Sequence, residues 1–498
     1  MEKFDAVIIG SGLGGLLCAN ILSKEGYKVC VVEKHYQIGG CLQNFTREGC
    51  VFDTGIHYIG RLGKGEVLHQ YFKYFGLTEK IKLKKLDDDG FDIIAFGDTE
   101  EEFKYAMGSS QFVNKLAENF PSEKEALIKY CKRLDEISDC FPLYNLNEIK
   151  SNIDETEFFT KSAFSFIASF TENKRLQNVL AGTNLLYAGV KEKTPLFIHA
   201  LINNSYIESA WKVVGGSSQI ANILAENIIN DGGTILKNTE ATKMIFEGHD
   251  LRYLELANGE RIDSKYFISN IHPSETLKMI DPGQTRGVYR SRLQTLENTI
   301  STFSLYIVLK KNSFKYLNYN YYYYDSNDVW STGNYSQENW PKSYMLVTAA
   351  NSENNEFAES ITILSYMTFE EVQKWENTKV EKRGIDYEEF KKQKAEKLID
   401  VIEKKFPEIR KNIQSYYTST PLTYRDYTST KEGSMYGILR DCNEPMKSSI
   451  SPRTKIPNLF FTGQNIILHG VLGVTIGAVV TCSEIVGMNK LINKIKNA

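Results

Sequence analysis

An apolar run, Ala6-Val7-Ile8-Ile9, leads without a break into Gly10-Ser11-Gly12-Leu13-Gly14-Gly15 and then into Leu16, Leu17 and Ile21 at helical spacing. That order predicts a strand, a tight turn and a helix. Gly26 stops the helix, and a second apolar run, Val29-Cys30-Val31-Val32, ends on Glu33. Glycines at such a turn, with an acid about twenty residues further on, are the fingerprint of a dinucleotide site. Gly10 permits the sharp turn, and Gly12 removes a side chain where a pyrophosphate approaches backbone. Gly15 lets the helix pack closely on the strand. Freed amides at the helix start face the phosphates, and Glu33 can accept hydrogen bonds from a ribose while its charge disfavours a 2′-phosphate. A glycine-rich turn in a generic α/β unit is the competing reading. The common register of strand, glycines, helix and acid argues against it.

Past Glu33 and Lys34 come Gly39-Gly40 and then Phe52-Asp53-Thr54-Gly55-Ile56-His57-Tyr58-Ile59-Gly60. This arrangement resembles the FAD-binding flavoproteins more than the nicotinamide dehydrogenases. Its wording, with Val214-Gly215-Gly216-Ser217-Ser218, is similar to the retinol saturase branch of the phytoene desaturase and carotenoid isomerase family. A further stretch, Phe460-Phe461-Thr462-Gly463-Gln464-Asn465, resembles the second half of the FAD signature. The resemblance implies an α/β fold: an FAD-binding Rossmann-like domain of the glutathione reductase type 2 or amine oxidase-like kind, with an inserted mixed α+β substrate domain. It implies that Gly10, Gly12, Leu13, Gly14, Gly15, Glu33 and Lys34 bind FAD. Gly39 and Gly40 would pass under the cofactor, and Gly55, Ile56 and His57 would reach the flavin ring. The backbone near Ala241 would face the adenine, Asn270 would also bind the cofactor, and Gly463, Gln464, Asn465, Gly473 and Val474 would hold the ribityl chain and pyrophosphate. Many members carry an acid where this chain has Gln464-Asn465.

The chain has 498 residues, enough for two to four domains. A net charge of -3 argues against a nucleic-acid partner. Eight cysteines form no CxxC pair and read as reduced core or loop thiols, so no metal is expected. Met1 lies close to the first strand, leaving no room for a signal peptide, and a cytoplasmic protein is the expectation. The cofactor domain is expected to be discontinuous, comprising residues 1–65, 205–275 and 440–498, with 66–204 and 276–439 forming the substrate or cap domain.

Several stretches admit two readings. Phe158, Phe159, Phe164, Phe166 and Phe170 read as a helical core or as a greasy lipid entrance. The run from Tyr319 to Tyr324 suits a polyene-lining strand or an edge strand equally. A helix from Tyr387 to Lys405 is amphipathic and basic, which fits either a solvated face or a peripheral membrane contact. The apolar stretch from Ile466 to Val486 contains His469, Glu484 and glycines, which argue against its crossing a membrane. Near Asn258-Gly259 a hairpin is expected.

What the resemblance implies about chemistry is hydrogen transfer at a conjugated polyene lipid. Saturases add hydrogen across a double bond, desaturases remove it, and isomerases rotate the bond. The flavin performs the difficult step, and the protein supplies alignment, water exclusion and a proton. His57, Tyr58 and Tyr436 are the candidate proton carriers; His57 reads also, and more readily, as a positioning hydrogen-bonder. With one dinucleotide fingerprint, NAD(P)H would bind transiently as reductant, or a separate electron-donor reductase would serve. A reading of another class is a lipid carrier like the Rab GDP-dissociation inhibitors, which share the fold without flavin chemistry. A carrier has no need of intact Gly10, Gly12, Gly15 and Glu33.

Overall fold

Strands Lys3–Ile9 and Val29–Val32 bury every residue on both faces from Ala6 onward, as expected of parallel strands covered on two sides. Ala6 and Ile8 enter one apolar core and Val7 and Ile9 another, the period of two that places the sheet between them. The computed structural model describes residues 3–146, 156–351 and 356–498; Met1, on which the absence of a leader was read, lies outside them.

The first sheet runs in the order Thr234–Leu236, Val29–Val32, Lys3–Ile9, Arg261–Ser269, Asp250–Leu256, Ala241–Glu247, with Leu459–Phe461 also pairing Arg261–Ser269. Its left side is parallel, with Ala6 beside Val29 and Tyr266. The expected hairpin at Asn258-Gly259 joins its antiparallel members. The opening helix, Leu13–Lys24, packs against helices Ser218–Asn230 and Gly470–Val486. This sheet and the helices packed on it therefore draw on three distant stretches of chain. Strand Ala210–Val213 pairs with Ile59–Gly60 and Leu83–Lys85 in a small sheet of its own.

The second sheet has the order Ile413–Ser419, Ser301–Leu309, Ser360–Met367, Ser343–Thr348, Asn320–Tyr324, Asp92–Phe96, Glu102–Tyr105. It draws on both long insertions, since Asp92–Phe96 pairs in parallel with Asn320–Tyr324. Tyr321 to Tyr324 thus form neither an edge strand nor a polyene lining: they are central, fully covered, and absent from the cavity wall. Tyr322 and Tyr324 join the core beneath the helices. Tyr321 and Tyr323 join the core covered by helix Ile385–Glu403.

That helix turns Tyr387, Ala395, Leu398, Ile399 and Ile402 onto the second sheet, and Lys394 is buried in an ion pair with Glu371. Its apolar face is thereby occupied by the protein's own core. Of the phenylalanine cluster, Phe158 and Phe166 are core, Phe164 and Phe170 are half-buried and Phe159 is exposed, and none of the five rings lines the cavity. Among the described residues no helix is long and apolar enough to cross a membrane, and no disulfide joins the eight cysteines.

Candidate functional site

The parallel strands end on a cavity of about 600 Å³ that extends from Ile9 and Val32 to Thr302, Met345 and Leu364 of the second sheet. A ligand site at the carboxyl ends of parallel strands is where such a sheet offers its crevice. The glycine turn forms the floor. Gly10 has φ +90°, closed to most side chains, and a Cβ on Gly14 would stand 2.6 Å from Asn270 Oδ1 and 2.8 Å from Gly463 Cα. A Cβ on Gly12 would stand 2.7 Å from Asn270 Nδ2. Asn270 therefore lies where the first glycine loop and the Gly463 turn converge, an approach that bare backbone alone permits.

Two helix starts open on this cavity. Gly12 caps Leu13–Lys24 and His469 caps Gly470–Val486, and neither supplies a side-chain capping bond. Their leading amides remain available to an anion. At one rim the Glu33 carboxylate is fixed by Ser11 N (2.9 Å), Ser11 Oγ (2.6 Å) and His35 N (2.9 Å). His35 stacks on Tyr427 at 5.1 Å and 5°, so a segment of the second insertion, continued by Thr428 and Ser429 on the wall, covers this end. Bare glycine backbone, two uncapped helix starts and an oriented acid fit a dinucleotide.

Lys34, Gly39, Gly40, Gly55, Ile56, Ala241, Gln464, Asn465, Gly473 and Val474 also line the cavity, together with Leu13, Gly14, Gly463 and Asn270. Gly15 does not line it. A Cβ there would stand 2.2 Å from the Gly10 carbonyl, so its role is to let the helix meet the strand.

The turn that brings the chain under the cavity is pinned by Asp53, whose Oδ1 accepts from Ser217 N and Ser217 Oγ, both at 2.7 Å. Burial raises this carboxyl to about 6, against the lowering effect of those two bonds. The folded state thus holds the proton more tightly than the unfolded chain. The stability this adds is complete below the unfolded value of 3.8 and is lost as pH rises through about 6. The loss is on the order of 2–3 kcal/mol. Melting temperatures taken from about pH 4 to about pH 8 are expected to fall less steeply for Asp53→Asn than for the parent. Parallel curves would rule Asp53 out as the titrating group.

The three candidate proton carriers meet the cavity in different states. His57 lies on its wall, and burial, helped by the nearby Lys212 ammonium, pushes the imidazole down to about 4, so it is neutral at physiological pH. Tyr436 also lines the wall but donates its hydroxyl to Leu185 O at 2.8 Å. Tyr58 lines the wall and donates to Asp92 Oδ2 at 2.8 Å, with Tyr322 Oη 2.6 Å away.

Sequence reasoning missed His469 and Tyr206 as wall residues. His469 stacks on Tyr436 at 4.1 Å, and its Nε2 sits 2.9 Å from Leu186 O, which can only accept, so Nε2 carries the proton. Its place immediately before Gly470 was the available signal. Tyr206 packs on the Tyr58 ring at 4.4 Å from within helix Leu196–Glu208, where nothing in the sequence distinguishes it. Leu185, Leu186, Leu201, Ile202, Met345 and Leu364 make the remainder of this end apolar.

Residues 8–75 match the family model described as an NAD(P)-binding Rossmann-like domain. Human all-trans-retinol 13,14-reductase is 28% identical across 100% of this chain and 87% of its own. Prolycopene isomerase 2, chloroplastic, of an Oncidium hybrid cultivar is 23% identical across 95% and 83%. Cyclohexylamine oxidase of Brevibacterium oxydans, a solved structure, superposes with a TM-score of 0.61 at 15% identity, covering 99% of this chain and 100% of that one. The expected Rossmann-like, amine oxidase-like fold and the resemblance carried by residues 52–60 are both borne out along nearly the whole chain.

Proposed function

From this kinship with the retinol 13,14-reductases and their flavoprotein relatives, we propose that the chain is an FAD-dependent oxidoreductase that reduces a carbon–carbon double bond of a conjugated polyene lipid. The observation that carries the reading is a single cavity with two characters. A glycine-lined, anion-binding end opens into an end walled by Leu185, Leu201, Ile202, Met345 and Leu364. Bound FAD supplies hydride exchange with carbon. The chain's residues do the rest: the two helix starts and Glu33 bind and orient the dinucleotide, and the apolar wall excludes water from the polyene. Neutral His57 positions by hydrogen bonding. Tyr436 is held by Leu185 and orients the His469 ring, leaving Tyr58 as the proton carrier. The division into a cofactor domain (1–65, 205–275 and 440–498) and a substrate domain (66–204 and 276–439) belongs to this reading and is supported by membership of the two large sheets, strand Ala210–Val213 excepted, which pairs with Leu83–Lys85 across the boundary.

NAD(P)H bound transiently, or a separate reductase, supplies the electrons. Peripheral membrane contact is supported by the insolubility of such a lipid, and a cytoplasmic location belongs to the same reading. A second reading, polyene isomerisation, is favoured by the similarity to a prolycopene isomerase. Desaturation differs from reduction only in direction. A GDI-like carrier is disfavoured by the intact glycine turn and Glu33.

Purified protein is expected to be yellow and to retain flavin. After anaerobic reduction with dithionite, all-trans-retinol or a short carotenoid is expected to reoxidise the flavin as the polyene absorption moves to shorter wavelength. A polyene shift without flavin reoxidation would establish isomerisation instead; a longer-wavelength chromophore made by oxidised protein would establish desaturation; absence of flavin would establish the carrier.

A further inference from the structure

Behind the apolar wall lies a group of titratable side chains that binding of the dinucleotide does not use. Asp92 is wholly buried at the start of strand Asp92–Phe96. Its two oxygens take one donor each: Tyr58 Oη at 2.8 Å on Oδ2, and Asn320 Nδ2 at 2.8 Å on Oδ1. Asn320 is placed there by strand register, being the partner of Asp92 across the parallel pair. With Asp92 ionised, Tyr58 donates to it and Tyr322, 2.6 Å away, donates to Tyr58; with Asp92 protonated, its Oδ2–H donates to Tyr58 Oη along the same line, which frees the Tyr58 hydroxyl proton. Lys212 is buried nearby and gives a hydrogen bond to Thr348 O at 3.0 Å.

An acid buried without a directly bonded cation is costly to keep charged. Desolvation raises the Asp92 carboxyl to about 7, against the opposing pull of Asn320, Tyr58 and Lys212. The same burial brings Lys212 down to about 7. The other groups felt here are tyrosines, Tyr105, Tyr206 and Tyr324, all raised by burial and so neutral. Within this chain of hydrogen bonds Tyr58 is the member on the cavity wall.

Resting on the reading of the cavity as a polyene-reducing site, we infer that Asp92 is the proton store for that reaction and that Tyr58 delivers its proton to the substrate. Saturating a double bond adds a hydride to one carbon and a proton to the other. The hydride, with the two electrons that reduce the bond, comes from reduced flavin. The Tyr58 O–H bond breaks as the new C–H bond forms. The Asp92 O–H proton passes along the existing 2.8 Å hydrogen bond to restore Tyr58, leaving a carboxylate that the Lys212 ammonium stabilises. Water reloads Asp92 after product leaves.

The test uses the holoprotein, reduced anaerobically and mixed with all-trans-retinol while flavin reoxidation is timed. Tyr58→Phe is expected to reoxidise ~100-fold more slowly or worse, with unchanged flavin content and retinol affinity. Asp92→Asn keeps an acceptor for Tyr58 but holds no acidic proton. Its rate is expected to fall similarly and to lose the decline with rising pH that the parent shows through about 7. Tyr322→Phe removes a bond to the same oxygen but not the path, and a loss below ~10-fold is expected. If Tyr58→Phe loses flavin, the Asp92→Asn pH profile carries the decision. Parental rates in Tyr58→Phe, or a parental pH profile in Asp92→Asn, would overturn the relay alone. A flavin-loaded parent that no polyene reoxidises would overturn the proposed reduction and the relay together.

Discussion

Gly15→Ala is expected to yield protein that no longer retains flavin and is destabilised by about 3 kcal/mol or more. The added Cβ would lie 2.2 Å from the Gly10 carbonyl, an atom fixed in the turn, and 3.2 Å from Ile8 Cγ2. Relief requires the opening helix to move off its strand, and that movement carries the amides of Leu13 and Gly14 away from the site. Gly26→Ala provides the contrast: nothing lies within 4 Å of its Cβ, but φ is +84°. It is expected to cost only about 1–2 kcal/mol, the left-handed penalty, and to bind flavin normally. Flavin absorbance per mole of protein and urea unfolding of both variants check this. Equal flavin content in the two would refute the packing role of Gly15.

Asp92→Leu is expected to destabilise the fold by about 3–5 kcal/mol, whereas Asp92→Asn is expected to cost about 1 kcal/mol or less at neutral pH. Leucine leaves the Tyr58 hydroxyl and the Asn320 amide buried without their acceptor, and it removes the stronger of the two carboxylate fields, Asp92 and Asp87, that support the buried Lys212 ammonium. Asparagine retains an acceptor. The sign with pH is also determined. The Asp92 carboxyl is raised from 3.8 to about 7, so the stability due to its protonated form is present below 3.8 and lost as pH rises through about 7. Asp92→Asn should therefore gain on the parent toward alkaline pH. Urea unfolding at about pH 6 and about pH 8.5 measures the crossover; an advantage that shrinks with pH would contradict the assignment.

How much was legible beforehand depended on how local the signal was. The opening strand, glycine turn and helix are written in consecutive residues, so their geometry follows from Gly10, Gly12 and Gly15 and from the spacing of Leu16, Leu17 and Ile21. The tyrosine run illustrates the opposite case. Tyr321 to Tyr324 alternate between two cores, yet both faces carry the same residue type, so no polar and apolar alternation could reveal that both sides are covered. The basic helix Ile385–Glu403 was ambiguous because its apolar stripe reads the same whether a sheet or a lipid surface covers it. His57 was legible as a wall residue through its motif, but its intrinsic pKa near neutrality was misleading. Burial and Lys212, 155 positions later in the chain, decide its state.

By itself the sequence determined the dinucleotide turn, the acid that follows it, the second glycine segment and the resemblance to flavoproteins. Each rests on backbone preferences and hydrophobic periods that act over a few residues. The tertiary structure decided the protonation of the wall. Tyr58, Asp92 and Tyr322 become a hydrogen-bonded group, electrostatically coupled to Lys212, because distant strands pair beneath the cavity. Desolvation is set by whatever closes over a side chain, and here that covering comes from residues hundreds of positions away.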